Sequence, residues 1–227
     1  MTSRQVMELL RTFDSLSERD QAFVLGQLRA AHPIHQLESR WGASAEVILE
    51  AIARASDLSH RGVLGLIAEA TFKLHVIDAI QDWKSLPVPQ DAAFDFLIER
   101  GGVELRIQVK RQRQERGAPK QWRPNSPLFV VETQRTRSGK THDGEDTRPY
   151  KVGEFDILAV SMQPSTDDWA CFRFAPQQWL LRREDKPGLL RVMQPVALEE
   201  CEDWTGSLDT CIERVLSRRQ RTISSPT

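Results

Sequence analysis

Seven residues, Glu104-Leu105-Arg106-Ile107-Gln108-Val109-Lys110, alternate strictly between polar and apolar. A strand with this pattern turns Leu105, Ile107 and Val109 toward a core and Glu104, Arg106, Gln108 and Lys110 toward the opposite face. A solvated sheet face has the same look, so a second feature decides. Asp95 stands between Phe94 and Phe96 in an otherwise apolar run. An aspartate there must be paired, hold a cation or face an opening. Gly101-Gly102 supplies a two-residue hairpin turn between the two runs. Counting back from that turn sets Ile98 and Glu99 near Glu104 and Leu105, and Asp95 near Gln108. A carboxylate, an amide oxygen and an ammonium then meet across adjacent strands. That set suits Mg²⁺, which takes oxygen ligands and keeps several waters. The residues alone leave plainer readings open. Asp95 could be a structural acid paired with Arg106, and Lys110 a strand lysine whose stem lies along the sheet while its head reaches water.

The elements around this hairpin follow from periodicity and punctuation. Residues 1–56 read as helical. Met7, Leu9, Leu10 and Phe13 form one apolar stripe. A second helix starts near Ser17 and stops at about Ala31, before Pro33, and a third runs from Ser44 to Ala55. The segment from Leu37 to Ile48 loosely resembles a helix-turn-helix with Gly42 at the turn. Its outward positions would be Ala45, Glu46, Leu49 and Glu50, which repel phosphate and read few base edges, so helix packing is its expected role. A longer helix is expected from Ser59 to about Ile80, with Leu66, Ala70, Leu74 and Ile77 on its core side. Leu86-Pro87-Val88-Pro89 reads as a rigid extended linker. After it the period changes to that of strands: 94–98, 103–110, 127–132, 155–160, 169–174 and 189–193. The apolar fourth of these is expected at the centre of the sheet. Loops should fill 114–126 and 133–148, and a short helix 208–216. These elements predict an α/β (α+β) fold, a mixed β-sheet core flanked by helices. The expected divisions are a helical N-terminal segment, 1–58, a domain, 59–217, and a flexible tail, 218–227.

Asp95, twelve intervening residues and then Gln108-Val109-Lys110 resemble the D…(E/Q)xK motif of the PD-(D/E)xK, restriction-endonuclease-like nucleases. Gly65-Leu66-Ile67-Ala68-Glu69-Ala70 is similar to the helix-borne acid that precedes this hairpin in many members. Tyr150 and the run Phe155–Val160 are similar to a later strand of one bacterial branch. The likeness spans about residues 60–180, and neither the N-terminal helices nor the last forty residues take part. It implies a restriction-endonuclease-like sheet and a Mg²⁺-dependent DNA endonuclease in which Mn²⁺ can substitute, such as a type II restriction enzyme or another defence or repair nuclease. It implies Asp95, Gln108 and Glu69 as metal ligands, the Val109 carbonyl as a further one, and Lys110 as the group that orients or deprotonates the attacking water. Phosphodiester cleavage needs an activated water, a neutralised transition-state charge and a stabilised leaving oxygen, and hard cations with one lysine can meet all three. Two positions depart from the pattern. Phe94 replaces the proline before the aspartate. Gln108 replaces the usual acid, which removes one negative charge, raises the importance of Glu69 and leaves room for an inactive DNA-binding protein with a vestigial nuclease fold.

Charge distribution points to the same partner. The chain of 227 residues carries a net charge of −1, yet residues 101–151 hold twelve Lys/Arg against six Asp/Glu. One basic face is expected if the protein meets phosphates. Arg111, Arg113 and Arg116 follow the lysine directly, and Gln134, Arg135, Arg137 and Lys140 form a second group; both sets are candidates for DNA contact, as phosphate anchors or base-edge readers. The expected partner is double-stranded DNA, and cutting both strands of a symmetric site would call for a homodimer. The three cysteines, Cys171, Cys201 and Cys211, and the five histidines have no zinc-ligand spacing. No apolar run reaches membrane-spanning length and no signal-peptide block follows Met1, so a cytoplasmic protein is expected.

Overall fold

The computed structural model describes residues 3–135 and 148–224. The chain forms two compact units, Met1–His60 and Arg61–Thr227.

The first unit is helical: α1, Ser3–Asp14; α2, Glu18–Ala31; α3, Gln36–Trp41; α4, Ala45–Ala53. Its starts are set by side-chain caps. The Ser17 and Ser44 hydroxyls accept from the Asp20 and Val47 amides, which satisfies donors that the first turn leaves open. Gly42, at φ +62°, ends α3; this left-handed geometry suits glycine. The acids that would face DNA in a helix-turn-helix are engaged within the unit. Glu46 pairs with Arg29, and Glu50 with Arg54 at 2.6 Å.

The second unit holds the hairpin. The helix α5, Asp57–Phe72, whose first four residues belong to the first unit, runs into one π-helical turn, Lys73–Ile77. The strands are β1, Lys84–Leu86; β2, Phe96–Arg100; β3, Val103–Arg111; β4, Gln114–Glu115; β5, Ala118–Pro119; β6, Leu128–Glu132; and β7, Ile157–Ser161. A four-residue helix, α6, Gln163–Thr166, is followed by β8, Phe172–Pro176, by β9, Met193–Ala197, and by α7, Leu208–Leu216. The main sheet has the order β1-β2-β3-β7-β8. All its pairs are antiparallel except β3 with β7. It is the expected α/β fold: a mixed sheet with helices against it. β6 and β9 form a second, two-stranded sheet, and β4 and β5 a small hairpin.

The interior position of β7, between β3 and β8, explains the apolar run Ile157–Val160. Ile157 and Ala159 pack into one core with Ala68 and Phe72 of α5 and Cys211 and Ile212 of α7. Leu158 and Val160 pack into the other with Tyr150, Trp179 and Val196. Buried on both faces, the strand has no solvent side, and even its last residue, Ser161, is buried. All three cysteines are free.

Three expectations shift. Lys84–Leu86 is a strand on β2, just ahead of the proline-rich linker. The last strand begins at Met193 instead of Leu189: Leu189 and Leu190 form single bridges with Lys151 and Arg182, while Met193–Ala197 pairs with β6 and, with no other ladder partner among the described residues, tolerates Pro195. The tail expected to be flexible is tied down as far as it is described: Ile223 is 2% exposed, its amide donates to the Trp179 carbonyl, and Arg221 pairs with Glu202 and Asp203. Apolar burial and ion pairing outweigh the polar composition that suggested a loose end.

Candidate active site

The hairpin register is the one counted from the glycines. Ile98 lies opposite Leu105 and Phe96 opposite Ile107. Gly101 and Gly102, at φ +60° and +82°, turn the chain in two residues, a geometry closed to most side chains. One step beyond Phe96, the Asp95 amide donates to the Ile107 carbonyl at 3.0 Å. There the ladder stops and a side chain takes over. Asp95 Oδ2 accepts from the Val109 amide at 2.8 Å and from Gln108 Nε2. Gln108 is 2% exposed, and its Nε2 also reaches the Val109 carbonyl at 3.1 Å.

Glu69 and Lys110 complete the group. Burial, reinforced by the nearby charge of Asp95, pushes the Glu69 carboxyl up to about 7, against an opposing pull from Lys110. Asp95 is also raised by burial, with Lys110 and the Val109 amide working the other way. Burial lowers Lys110, while Asp95, Glu69 and Glu132 favour its charged form. Two acids and one amine therefore share a low-dielectric space and sense each other's charge. Lys110 Nζ sits 5.6 Å from the centre of the Tyr150 ring, within cation–π range. Lys110 is thus enclosed by acids and an aromatic ring.

Arg106, offered above as a partner for Asp95, has another one. Its guanidinium forms a two-point pair with Asp156, at 2.9 Å for both Nε and Nη2, and donates to the Gly153 carbonyl at 2.7 Å. Asp95 is left to Gln108 and Val109.

The donor set fits a hard cation with one adjustment. Among the described residues, no three His, Cys, Asp or Glu side chains converge. The available oxygens are two carboxylates, the Val109 carbonyl and the Gln108 amide. Gln108 directs its nitrogen at Asp95 Oδ2 and the Val109 carbonyl, whereas the sequence suggested its oxygen. The amide hydrogens meet the two oxygens that a cation would use. Turning the amide end over would set Oε1 against Asp95, an arrangement that is favourable once positive charge lies between them. Mg²⁺ or Mn²⁺, which accept few protein ligands and retain waters, match such a set.

The expected basic contacts divide. Arg113 pairs with Glu132, and Arg135 with Glu154 at 2.6 Å while lying over the Tyr150 ring at 5.7 Å. Gln134 donates to Glu132. Arg111 Nη2 donates to Gln163 at 2.7 Å and to Gln114 at 2.8 Å, and its guanidinium faces Trp169. Protein groups thus already occupy these side chains. Arg116 is exposed in the β4–β5 turn. Arg137 and Lys140 lie outside the described residues. Sequence reasoning missed Glu132, which acts on Lys110 and anchors Arg113 and Gln134. Its signal was an acid closing an otherwise apolar strand, Leu128–Val131.

No protein-family model and no curated protein sequence matches the chain. Among solved structures, a bacterial homing endonuclease, I-Ssp6803I, is similar at 19% sequence identity and a TM-score of 0.38, covering 62% of this chain and 79% of that one. Likeness at that level carries no argument about chemistry. Among the described residues, no helix is long and apolar enough to cross a membrane.

Proposed function

We propose that the chain is a Mg²⁺-dependent DNA endonuclease, with Mn²⁺ able to substitute, that hydrolyses phosphodiester bonds in double-stranded DNA. One observation carries this reading: just ahead of β2, Asp95 is held against Gln108 and Val109, within electrostatic reach of both Glu69 and Lys110. Asp95, Glu69, the Gln108 amide oxygen and the Val109 carbonyl would hold the cation, which supplies positive charge to the phosphate as the transition state forms. Asp95 is fixed by the Val109 amide, so little reorganisation is needed at the reacting centre. Lys110, whose proton is loosened by burial, orients the attacking water and donates hydrogen bonds to the phosphate oxygens. Glu69, which burial brings to about 7 in the metal-free protein, would give up its proton on joining the cation, so cation binding at this site should release protons near neutral pH. A homodimer cutting both strands, as in a type II restriction enzyme or another defence or repair nuclease, is the arrangement that suits a symmetric target.

The contact between Gln108 Nε2 and Asp95 favours a second reading, a DNA-binding protein with a vestigial nuclease fold. A neutral amide already satisfies the carboxylate there. Incubating supercoiled plasmid with the purified chain in Mg²⁺ or Mn²⁺ separates the two. The first reading expects nicked and linear products that Asp95→Ala and Lys110→Ala strongly reduce while DNA binding persists. Salt-dependent binding without cleavage by the wild type would leave the second.

A further inference from the structure

Beyond Lys110, β3 leads within four residues into the β4–β5 hairpin, a reach of about 13 Å for extended chain. The hairpin is fastened to β6. The Arg113 amide donates to the Val130 carbonyl, the Val130 amide to the Lys120 carbonyl, and the Trp122 amide to the Leu128 carbonyl, at 2.8, 2.9 and 2.8 Å. Between these segments lies an open hollow of about 970 Å³. Trp122, Phe129 and Pro119 give it apolar walls, Arg116, Lys120 and Arg123 supply cations, and Glu115 supplies one carboxylate. Trp122 and Phe129 are half-buried and rest on the core beneath, so their rings are held in place. Arg116 and Arg123 are exposed. Lys120 pairs with Glu115 at 3.1 Å.

Lys120 is thus matched by the acid, and fixed aromatic walls with Arg116 and Arg123 at the rim match the two parts of an unpaired nucleotide. A base offers a flat face for stacking, and its phosphate offers negative charge. In a duplex the base faces are hidden against their neighbours, so aromatic walls gain from nucleic acid only when a base is unstacked. We propose that this hollow is a binding subsite for an unpaired stretch of nucleic acid flanking the cleavage site, with a base against Trp122 and Phe129 and backbone phosphates on Arg116 and Arg123. The subsite deepens the nuclease reading and rests on it for its position near Lys110. It implies a substrate with a single-stranded tail, a flap or a locally opened duplex.

The test compares the full chain's affinity, without divalent ions, for a blunt fluorescent duplex and for the same duplex with a short unpaired tail. The tail carries 2-aminopurine, whose emission falls when it stacks. The wild type is expected to bind the tailed probe about tenfold more tightly, the lower range for one stacked base, and to quench the 2-aminopurine. Trp122→Ala and the surface change Arg123→Glu should each erase the preference, and Trp122→Phe should retain it. Equal affinity of the wild type for both probes, or a preference that survives both Trp122→Ala and Arg123→Glu, overturns the subsite. Plasmid cleavage without tail preference would leave the nuclease reading standing and remove the subsite. A tail preference lost in the variants, with no cleavage of either plasmid or the tailed duplex in Mg²⁺ or Mn²⁺, would do the reverse. Failure to bind either probe removes both.

Discussion

Replacing Glu69 by glutamine tests whether the acids and the amine are enclosed together. The Glu69 carboxyl is displaced from its ordinary 4.5 to about 7, chiefly by burial. In the unfolded chain it titrates near 4.5, so the folded state holds the proton more tightly. The stability linked to that proton is fully present below the unfolded value and is lost as pH rises through about 7. At about 1.4 kcal/mol per pH unit, the loss amounts to roughly 3 kcal/mol. Glu69→Gln is neutral throughout and escapes it. The unfolding free energy of the variant minus that of the wild type should therefore rise by roughly 3 kcal/mol between about pH 4 and about pH 8. Urea denaturation at a series of pH values measures this directly. Adding Mg²⁺ at about a hundred times its Kd should then return about 2.7 kcal/mol to the wild type at the alkaline end, and less to the variant. Stability curves of the two proteins that run parallel across the whole range would refute the enclosed site.

Three further outcomes follow from named contacts. Lys110→Ala should lower plasmid cleavage by about a hundredfold or more, the usual scale for one acid–base group, with duplex affinity retained in a filter-binding assay. Gln108→Glu places a second carboxylate where an amide now donates to Asp95. It should destabilise the metal-free protein at neutral pH by about 1–3 kcal/mol and tighten Mg²⁺ by roughly tenfold or more, read by calorimetric titration. Arg106→Ala breaks the two-point pair with Asp156 and the bond to Gly153. It should lower stability by about 1–3 kcal/mol with Mg²⁺ affinity unchanged.

What could be read in the sequence was local. Two glycines fixed the turn, the turn fixed the register, and the register brought Asp95 to Gln108. Ser17 and Ser44 announced their helices because capping acts over three residues. Contacts between distant segments were not legible. Arg106 and Asp156 stand fifty residues apart in the chain, and their pairing depends on β7 lying parallel to β3. Glu132 joins the site through a strand that belongs to a different sheet. The β4–β5 hairpin was hidden because each of its strands has two residues, too short for any alternation to show. The basic residues looked free because their acidic partners are distant: Glu132 and Glu154 lie nineteen residues from Arg113 and Arg135.

The Val109 amide, which ends the hairpin ladder on a carboxylate, gives the protein a built-in reporter. Its proton is shared with Asp95 Oδ2, so anything that draws electron density from that oxygen weakens the bond and moves the proton's resonance. A dication captured by Asp95 and the Val109 carbonyl would shift this nitrogen–proton peak, and that of Lys110 in the same peptide group as the carbonyl, more than the others along β3. Opening the mouth of the hairpin would speed its exchange with deuterium. Occupancy of the centre and fraying of the two strands could therefore be followed at one atom, without a substrate.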